Sequence, residues 1–261
     1  MILIGEKLNT SIPKTQTAVA GRDTDYLINL IETQVEAGAD YLDINTAAGV
    51  EDELESMKWL TKLALDHSQA GIMLDSPSPE VISEAIQMVQ GRPVIVNSVT
   101  LASRLELLPL IRETGSCVVA LPIDDGGIPD TAQSRADNAG HLLDKITQAG
   151  IPPEKIFIDV LAESLAVSDL NLMRSIETIL AIRSRFPGLK TVCGVSNVSF
   201  GLPKRININT AFLSAAVVAG LSAAILDVTS PTIKSALLSS LAVAGLDEYC
   251  LNYIAYMRSQ Q

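Results

Sequence analysis

The chain has 261 residues, of which 30 are acidic and 19 basic, for a formal net charge of −11. That field disfavours nucleic acid and anionic membrane surfaces as partners, and no basic tract offsets it locally. Apolar residues make up 48% and charged residues 19%, which supports a sizeable core and argues against disorder, while only 4% aromatics predict an aliphatic interior.

The opening Met1-Ile2-Leu3-Ile4-Gly5-Glu6-Lys7 reads as a strand and not as a charged-then-apolar signal peptide. Further strand-like runs follow at Tyr41–Ile44, Ile72–Leu74, Val94–Val96, Val118–Leu121, Ile156–Ile158, Thr191–Val192 and Ala224–Leu226. The first run is expected over Ile2–Ile4. Helical stretches lie between them at Asp25–Ala37, Asp52–His67, Pro79–Gln90, Leu101–Thr114, Thr131–Ala149, Leu170–Phe186, Asn209–Ala219 and Thr232–Ala244, with a last helix near Asp247–Arg258. Apolar residues recur in them at helical spacing, as in Leu27, Leu30, Ile31 and Val35. Ser78-Pro79-Glu80 offers a capping serine with proline in the first turn, and several helical patterns stop at glycine. The nearly charge-free run Ala211–Val228 is long enough for a membrane span, but Ala219-Gly220 splits it, so a buried helix followed by a buried strand is expected. Alternation of this kind predicts a parallel sheet with right-handed crossovers. About eight units predict a closed (β/α)8 barrel, a TIM barrel, as one domain over residues 1–261.

The polar residues at strand ends are then the informative set. Glu6 and Asn9 follow the first strand, Asp43 and Asn45 end the second, Asp75 the third and Asn97-Ser98 the fourth. Asp124 and Asp125 follow the fifth, Asp159 ends the sixth, Asn197 the seventh and Asp227 the eighth. A barrel would ring one mouth with these carboxylates and amides, the end at which such barrels carry their chemistry. Capping or an Asx turn is the competing reading, strongest for Asp43, Asp124, Asp125 and Asp227. The Asp124-Asp125-Gly126-Gly127 segment lacks the further oxygen ligands of a calcium loop and reads as a turn. The longest of these loops runs from Gly194 through Ser196, Asn197, Ser199, Lys204 and Arg205, with a helical pattern resuming near Asn207.

What is missing narrows the chemistry. His67 and His141 fall in helical stretches, so neither a His-centred triad nor a metal site is offered. The three cysteines, Cys117, Cys193 and Cys250, form no CxxC pair; Cys193 reads as a packed core thiol, and a reducing cytoplasm fits. No Gly-x-Gly-x-x-Gly or Gly-Lys-Ser/Thr phosphate loop occurs. The expected ligand is uncharged and rich in hydrogen-bonding groups where it meets the acids.

In this order, Gly5-Glu6-Lys7-Leu8-Asn9, Gly38-Ala39-Asp40-Tyr41-Leu42-Asp43-Ile44-Asn45, Leu74-Asp75-Ser76, Val96-Asn97-Ser98, Gly127-Ile128-Pro129, Ile158-Asp159 and Gly194-Val195-Ser196-Asn197-Val198-Ser199 span nearly the whole chain. The chain resembles the pterin-binding barrels, and within them the methyltetrahydrofolate:corrinoid methyltransferases. The resemblance implies that Asp75, Asn97 and Asp159 bind the pterin ring and that Asn197 sits beside N5, the nitrogen carrying the methyl group. It also implies Ser196, Arg205, Glu6 and Asp43 as further pterin-binding residues, Asn197 as the catalytic group, and a homodimer. Phe200 stands where relatives commonly carry a polar residue. The implied reaction moves a methyl group between N5 of tetrahydrofolate and the cobalt of a corrinoid, in the setting of anaerobic one-carbon metabolism. No bound metal is expected. The chain has no Asp-x-His-x-x-Gly corrinoid-binding segment, so a separate corrinoid protein is the expected partner. Two alternatives stay open. A dihydropteroate synthase-like enzyme would carry Ser-Arg-Lys where this chain reads Ser196-Asn197-Val198, and a folate-binding subunit without turnover would share the same residues.

Overall fold

Strand alternation decides which side chains meet inside. The computed structural model describes residues 1–260, and its eight strands are β1 (Ile2–Asn9), β2 (Tyr41–Asn45), β3 (Gly71–Asp75), β4 (Val94–Val99), β5 (Cys117–Ala120), β6 (Ile156–Asp159), β7 (Lys190–Gly194) and β8 (Ala223–Leu226). All pair in parallel and in sequence order, and β8 closes on β1 to complete a barrel. The sequence is therefore a (β/α)8 barrel, as its alternation predicts.

Successive strand residues point to opposite faces, so two steps along a strand return to the same face. Ile4, Met73, Ile95, Val119, Phe157, Val192 and Ala223 pack one another inside the barrel. Two residues further on, six of these seven strands bring Glu6, Asp75, Asn97, Asp159, Gly194 and Ile225 to the same inner face, nearer the carboxyl ends. Tyr41 packs against the same inner cluster and Asp43 follows it in the same way. The outer strand faces bury their aliphatic side chains under the helices, where the larger core lies. A plug of apolar residues thus closes the barrel below, and the polar residues form a layer above it.

The helices are α1 (Pro13–Ala20), α2 (Thr24–Glu36), α3 (Glu53–His67), α4 (Pro79–Met88), α5 (Leu108–Thr114), α6 (Ala132–Gln148), α7 (Asn171–Arg185), α8 (Arg205–Ala219), α9 (Pro231–Val243) and α10 (Leu251–Ser259). Ser78 caps α4 as expected, accepting from the N–H of Val81. Asp52 caps α3 through the N–H of Glu55. The run Ala211–Val228 resolves into the end of α8 and the whole of β8, and no helix among the described residues is long and apolar enough to cross a membrane.

Two expectations are corrected and one helix is added. The first strand runs to Asn9 and not to Ile4, so Glu6 and Asn9 lie within it. The polar pair Glu6-Lys7 hides this extension, because a bulge between Gly5 and Leu8 breaks the alternation. At that bulge the N–H of Lys7 donates to Gln34 Oε1 at 3.0 Å, and Gln34 is fully buried. Helix α1, which carries no strong apolar stripe, was not foreseen. The α5 helix begins at Leu108, after a turn of 3-10 helix at Leu105–Leu107, and not at Leu101.

Candidate functional site

One cavity of about 440 Å3 opens at the carboxyl ends of the strands and is lined by Glu6, Asp43, Asp75, Asn97, Asp159, Ser196, Asn197 and Arg205. The fold thus brings into one cavity every residue that the family resemblance implies for the pterin site. Lys7, Asn9, Gly194, Phe200 and Ile225 complete much of the wall, with Ser11, Ile12 and Pro13 at the β1–α1 connection.

The acids are not equivalent. Asp43 is buried, and its Oδ1 has no hydrogen-bond partner among the described residues. Burial, then the neighbouring carboxyls of Asp75 and Glu6, push its pKa well above the usual carboxylate range. Asp75 is also raised by burial, against the opposing effect of a 2.7 Å hydrogen bond from Asn45 Nδ2 to its Oδ2. Asp159 is pushed up to about 6 by burial, with the N–H of Leu161 donating to its Oδ1 at 2.7 Å and Arg135 acting the other way. Glu6 is raised by burial, partly offset by the hydroxyl of Ser196, which donates to Oε1 at 2.7 Å. Several carboxyls facing one small cavity hold protons more tightly than free carboxylates do. A ligand that presents N–H donors relieves this, because each donor favours the ionised form.

Sequence reading missed Arg135. It is fully buried on α6, donates through Nε to the carbonyl of Pro129 at 2.9 Å and through Nη1 to that of Leu161 at 2.9 Å, and pairs with Glu163. It ties the β5–α6 and β6–α7 connections together behind Asp159. An arginine on a helical pattern gives no hint of this; only the fold does.

The β7–α8 connection is shorter than its polar composition suggests. Val195–Ser199 forms a 3-10 turn, and α8 starts at Arg205, two residues before the expected resumption. Arg205 Nη2 donates to the carbonyl of Ser196 at 2.6 Å and Nε to Ser199 Oγ at 3.0 Å, so the guanidinium braces the turn while lining the cavity. The Asn197 backbone carbonyl accepts from the N–H of Phe200, and its side chain is exposed to the cavity. Gly194 is needed here for space. A Cβ at that position would lie 2.9 Å from Asn197 Nδ2, closer than side-chain contacts allow. Gly194→Ala is therefore expected to turn the Asn197 amide away and lower any activity that depends on it, with a crystal structure of the variant showing the displaced side chain.

Asp124 and Asp227, also singled out from the sequence, lie outside this cavity. Asp124 accepts from the N–H of Gly126 at 2.8 Å and from Asn138 Nδ2 at 2.9 Å, in the turn expected of that segment. Asp227 pairs with Lys7 at 2.7 Å. Cys193 is a fully buried thiol, and no group of three or more His, Cys, Asp or Glu suited to a metal ion occurs among the described residues.

The open end of the barrel thus carries a layer of carboxyls and amides above an apolar plug. The family described as pterin binding enzymes matches residues 5–227, and the chain belongs to that family. A methylcorrinoid:tetrahydrofolate methyltransferase of Eubacterium limosum is 30% identical over 257 residues, covering 97% of this chain and 94% of that protein. A methionine synthase of Mycobacterium tuberculosis is 34% identical over 240 residues, 86% of this chain but only 20% of its own length. These relatives mark the chain as a methyltransferase. A dihydropteroate synthase from Thermus thermophilus superimposes with a TM-score of 0.69 at 19% identity, covering 93% of this chain and 94% of that one, a likeness of fold.

Proposed function

We propose that the protein transfers a methyl group between N5 of tetrahydrofolate and the cobalt of a corrinoid carried on a partner protein. The observation that carries this reading is the single cavity in which Asp75, Asn97 and Asp159 face the exposed amide of Asn197. A pterin edge offers an amino group and ring N–H donors, which carboxylates and an amide oxygen accept. Burial disfavours the ionised forms of Asp159 and Asp75, so both gain from such donors. Asn197 then lies beside N5, where its amide can accept from N–H or donate to the nitrogen lone pair after rotating. The 97% coverage of this chain by the E. limosum methyltransferase supports the same assignment. The corrinoid enters as a substrate, through the open end of the barrel. Anaerobic one-carbon metabolism is the setting in which such a pair of substrates meets.

An anaerobic spectral assay tests this. Tetrahydrofolate is added to methylcobalamin, or methyltetrahydrofolate to reduced cobalamin, and the protein is expected to accelerate the change between the two cobalt spectra. Folate binding with no acceleration in either direction would leave a binding subunit as the reading.

The working unit is a homodimer in this proposal. Val218, Val243, Leu246, Tyr249 and Leu251, on and beside α8, α9 and α10, are exposed apolar side chains, with Val243 at 78% and Tyr249 at 82%. Light scattering at micromolar concentration is expected to give twice the 27.8 kDa chain mass. A mass of one chain would count against it.

A further inference from the structure

A second cavity, of about 210 Å3, lies beside the first between α8 and the ends of β1 and β8. Glu6, Lys7, Ser196 and Arg205 line both cavities and so form the partition between them. Across it the Ser196 hydroxyl donates to Glu6 Oε1 at 2.7 Å. On the far side Lys7 Nζ meets Asp227 Oδ2 at 2.7 Å, with the two side chains 30% and 26% exposed. Asn209, also in the second cavity, is buried and its Oδ1 has no partner among the described residues. Asp43 Oδ1 is a matching unpartnered oxygen on the wall of the first cavity. Polar atoms of this kind take water as their donor where there is room for it.

We infer that Glu6 and Ser196 form a proton relay between N5 of the bound substrate and solvent, passing through this second cavity. The inference rests on the methyl-transfer reading above. When N5 of tetrahydrofolate attacks the methyl group, the nitrogen lone pair forms the N–C bond and the Co–C bond breaks with its electrons staying on cobalt. N5 is then a cation that still carries its hydrogen. That proton passes by the Ser196 hydroxyl, or a water on it, to the Glu6 carboxylate and leaves through the second cavity. In the other direction the Glu6 carboxylic acid supplies the proton to N5. The methyl then moves to cobalt, whose electron pair forms the Co–C bond, and the N–C electrons return to nitrogen. Asn197 orients N5 but holds no proton it can give up near neutral pH.

The groups facing Glu6 suit this task. Burial favours the protonated form most and Asp227 beyond β8 adds to it, while the Ser196 hydroxyl, Lys7 on β1 and Arg205 on α8 favour the ionised one, and the balance is upward. Glu6 in turn adds to the upward push that burial and Asp75 give Asp43 on β2. A carboxyl moved toward the working pH can both take and give a proton.

Glu6→Gln keeps the shape and removes the titrating group. Single-turnover transfer to or from cobalamin is expected to slow about 10²-fold, with the pH dependence due to Glu6 lost and tetrahydrofolate affinity within about threefold of wild type. Formate should partly restore the rate of Glu6→Ala, an effect that a purely structural role does not give. Ser196→Ala, which leaves the buried carboxyl in place, should also slow transfer and keeps the test open if the Glu6 variants do not fold. Wild-type rate and pH profile in Glu6→Gln would overturn the relay. So would an affinity loss equal to the rate loss with no formate rescue. If wild type binds folate but moves no methyl group, the methyl-transfer reading falls by itself. The relay is then decided by calorimetry of methyltetrahydrofolate binding in buffers of different ionisation heat. A proton count that differs between wild type and Glu6→Gln supports it, and identical counts overturn it.

Discussion

Asn197→Ala is expected to slow methyl transfer by roughly 10²-fold while tetrahydrofolate affinity stays within a few-fold of wild type. The asymmetry follows from where the binding groups sit. Asp75, Asn97 and Asp159 come from β3, β4 and β6, on the inner face of the barrel, and do not depend on Asn197 for their position. In the proposed reaction their part is to hold the ring equally in the ground and transition states. Asn197 comes from the 3-10 turn after β7, with its amide exposed to the cavity. Charge changes at N5 as the N–C bond forms or breaks, so a dipole placed there is worth more in the transition state than before it. A single such group contributes on the order of 3 kcal/mol, which is about a hundredfold in rate. Single-turnover kinetics with cobalamin, beside equilibrium titration of tetrahydrofolate, separates the two effects. Loss of affinity at unchanged rate would make Asn197 a binding residue and not a catalytic one.

The barrel was legible in the sequence because its inner and outer strand faces are both apolar over short runs, bounded by polar residues where the strands emerge. Ile72-Met73-Leu74 before Asp75 and Ile156-Phe157-Ile158 before Asp159 show this directly. The same break from apolar to polar marks the layer boundary inside the barrel, so the residues that line the cavity were legible for the same reason as the fold. What stayed hidden depends on contacts distant in sequence. The extension of β1 through Glu6-Lys7 needs Gln34, 27 residues from Lys7, to satisfy a bulged N–H. Arg135 reads as one more charged residue on a helix until α6 places it behind Asp159. The bracing of the Asn197 turn by Arg205 depends on α8 beginning at that residue, and no cap in the sequence marks the start: Lys204, the residue before it, takes a left-handed conformation. The partition formed by Glu6 and Ser196 joins residues 190 positions apart.

Asp159→Asn is expected to weaken tetrahydrofolate binding by about 1.5–3 kcal/mol, roughly 10- to 150-fold, while raising the stability of the ligand-free protein above pH 6. The opposite signs have one cause. Burial raises Asp159 to about 6, above the value near 3.9 of an unfolded chain. Between those values the folded protein holds a proton that the unfolded chain has released. The stability this gives is complete below about pH 4 and is lost as pH rises through 6. At neutral pH the empty site therefore carries an ionised carboxylate that burial disfavours, and an amide of the same shape removes that cost. Pterin donors need the same ionised carboxylate. In wild type the affinity should fall about tenfold per unit as pH drops below 6, because a proton must leave before the donors can pair. In Asp159→Asn the part of that dependence due to Asp159 should be lost, leaving the contributions of Asp43, Asp75 and Glu6, whose carboxyls line the same cavity and are likewise raised. Titration calorimetry from pH 5 to 8, with thermal melts of the ligand-free proteins, measures both signs. Unchanged affinity at pH 7.5 would remove Asp159 from the site. A lower melting temperature for the variant would mean that the hydrogen bond from Leu161, 2.7 Å long in the native chain, outweighs the burial of the charge.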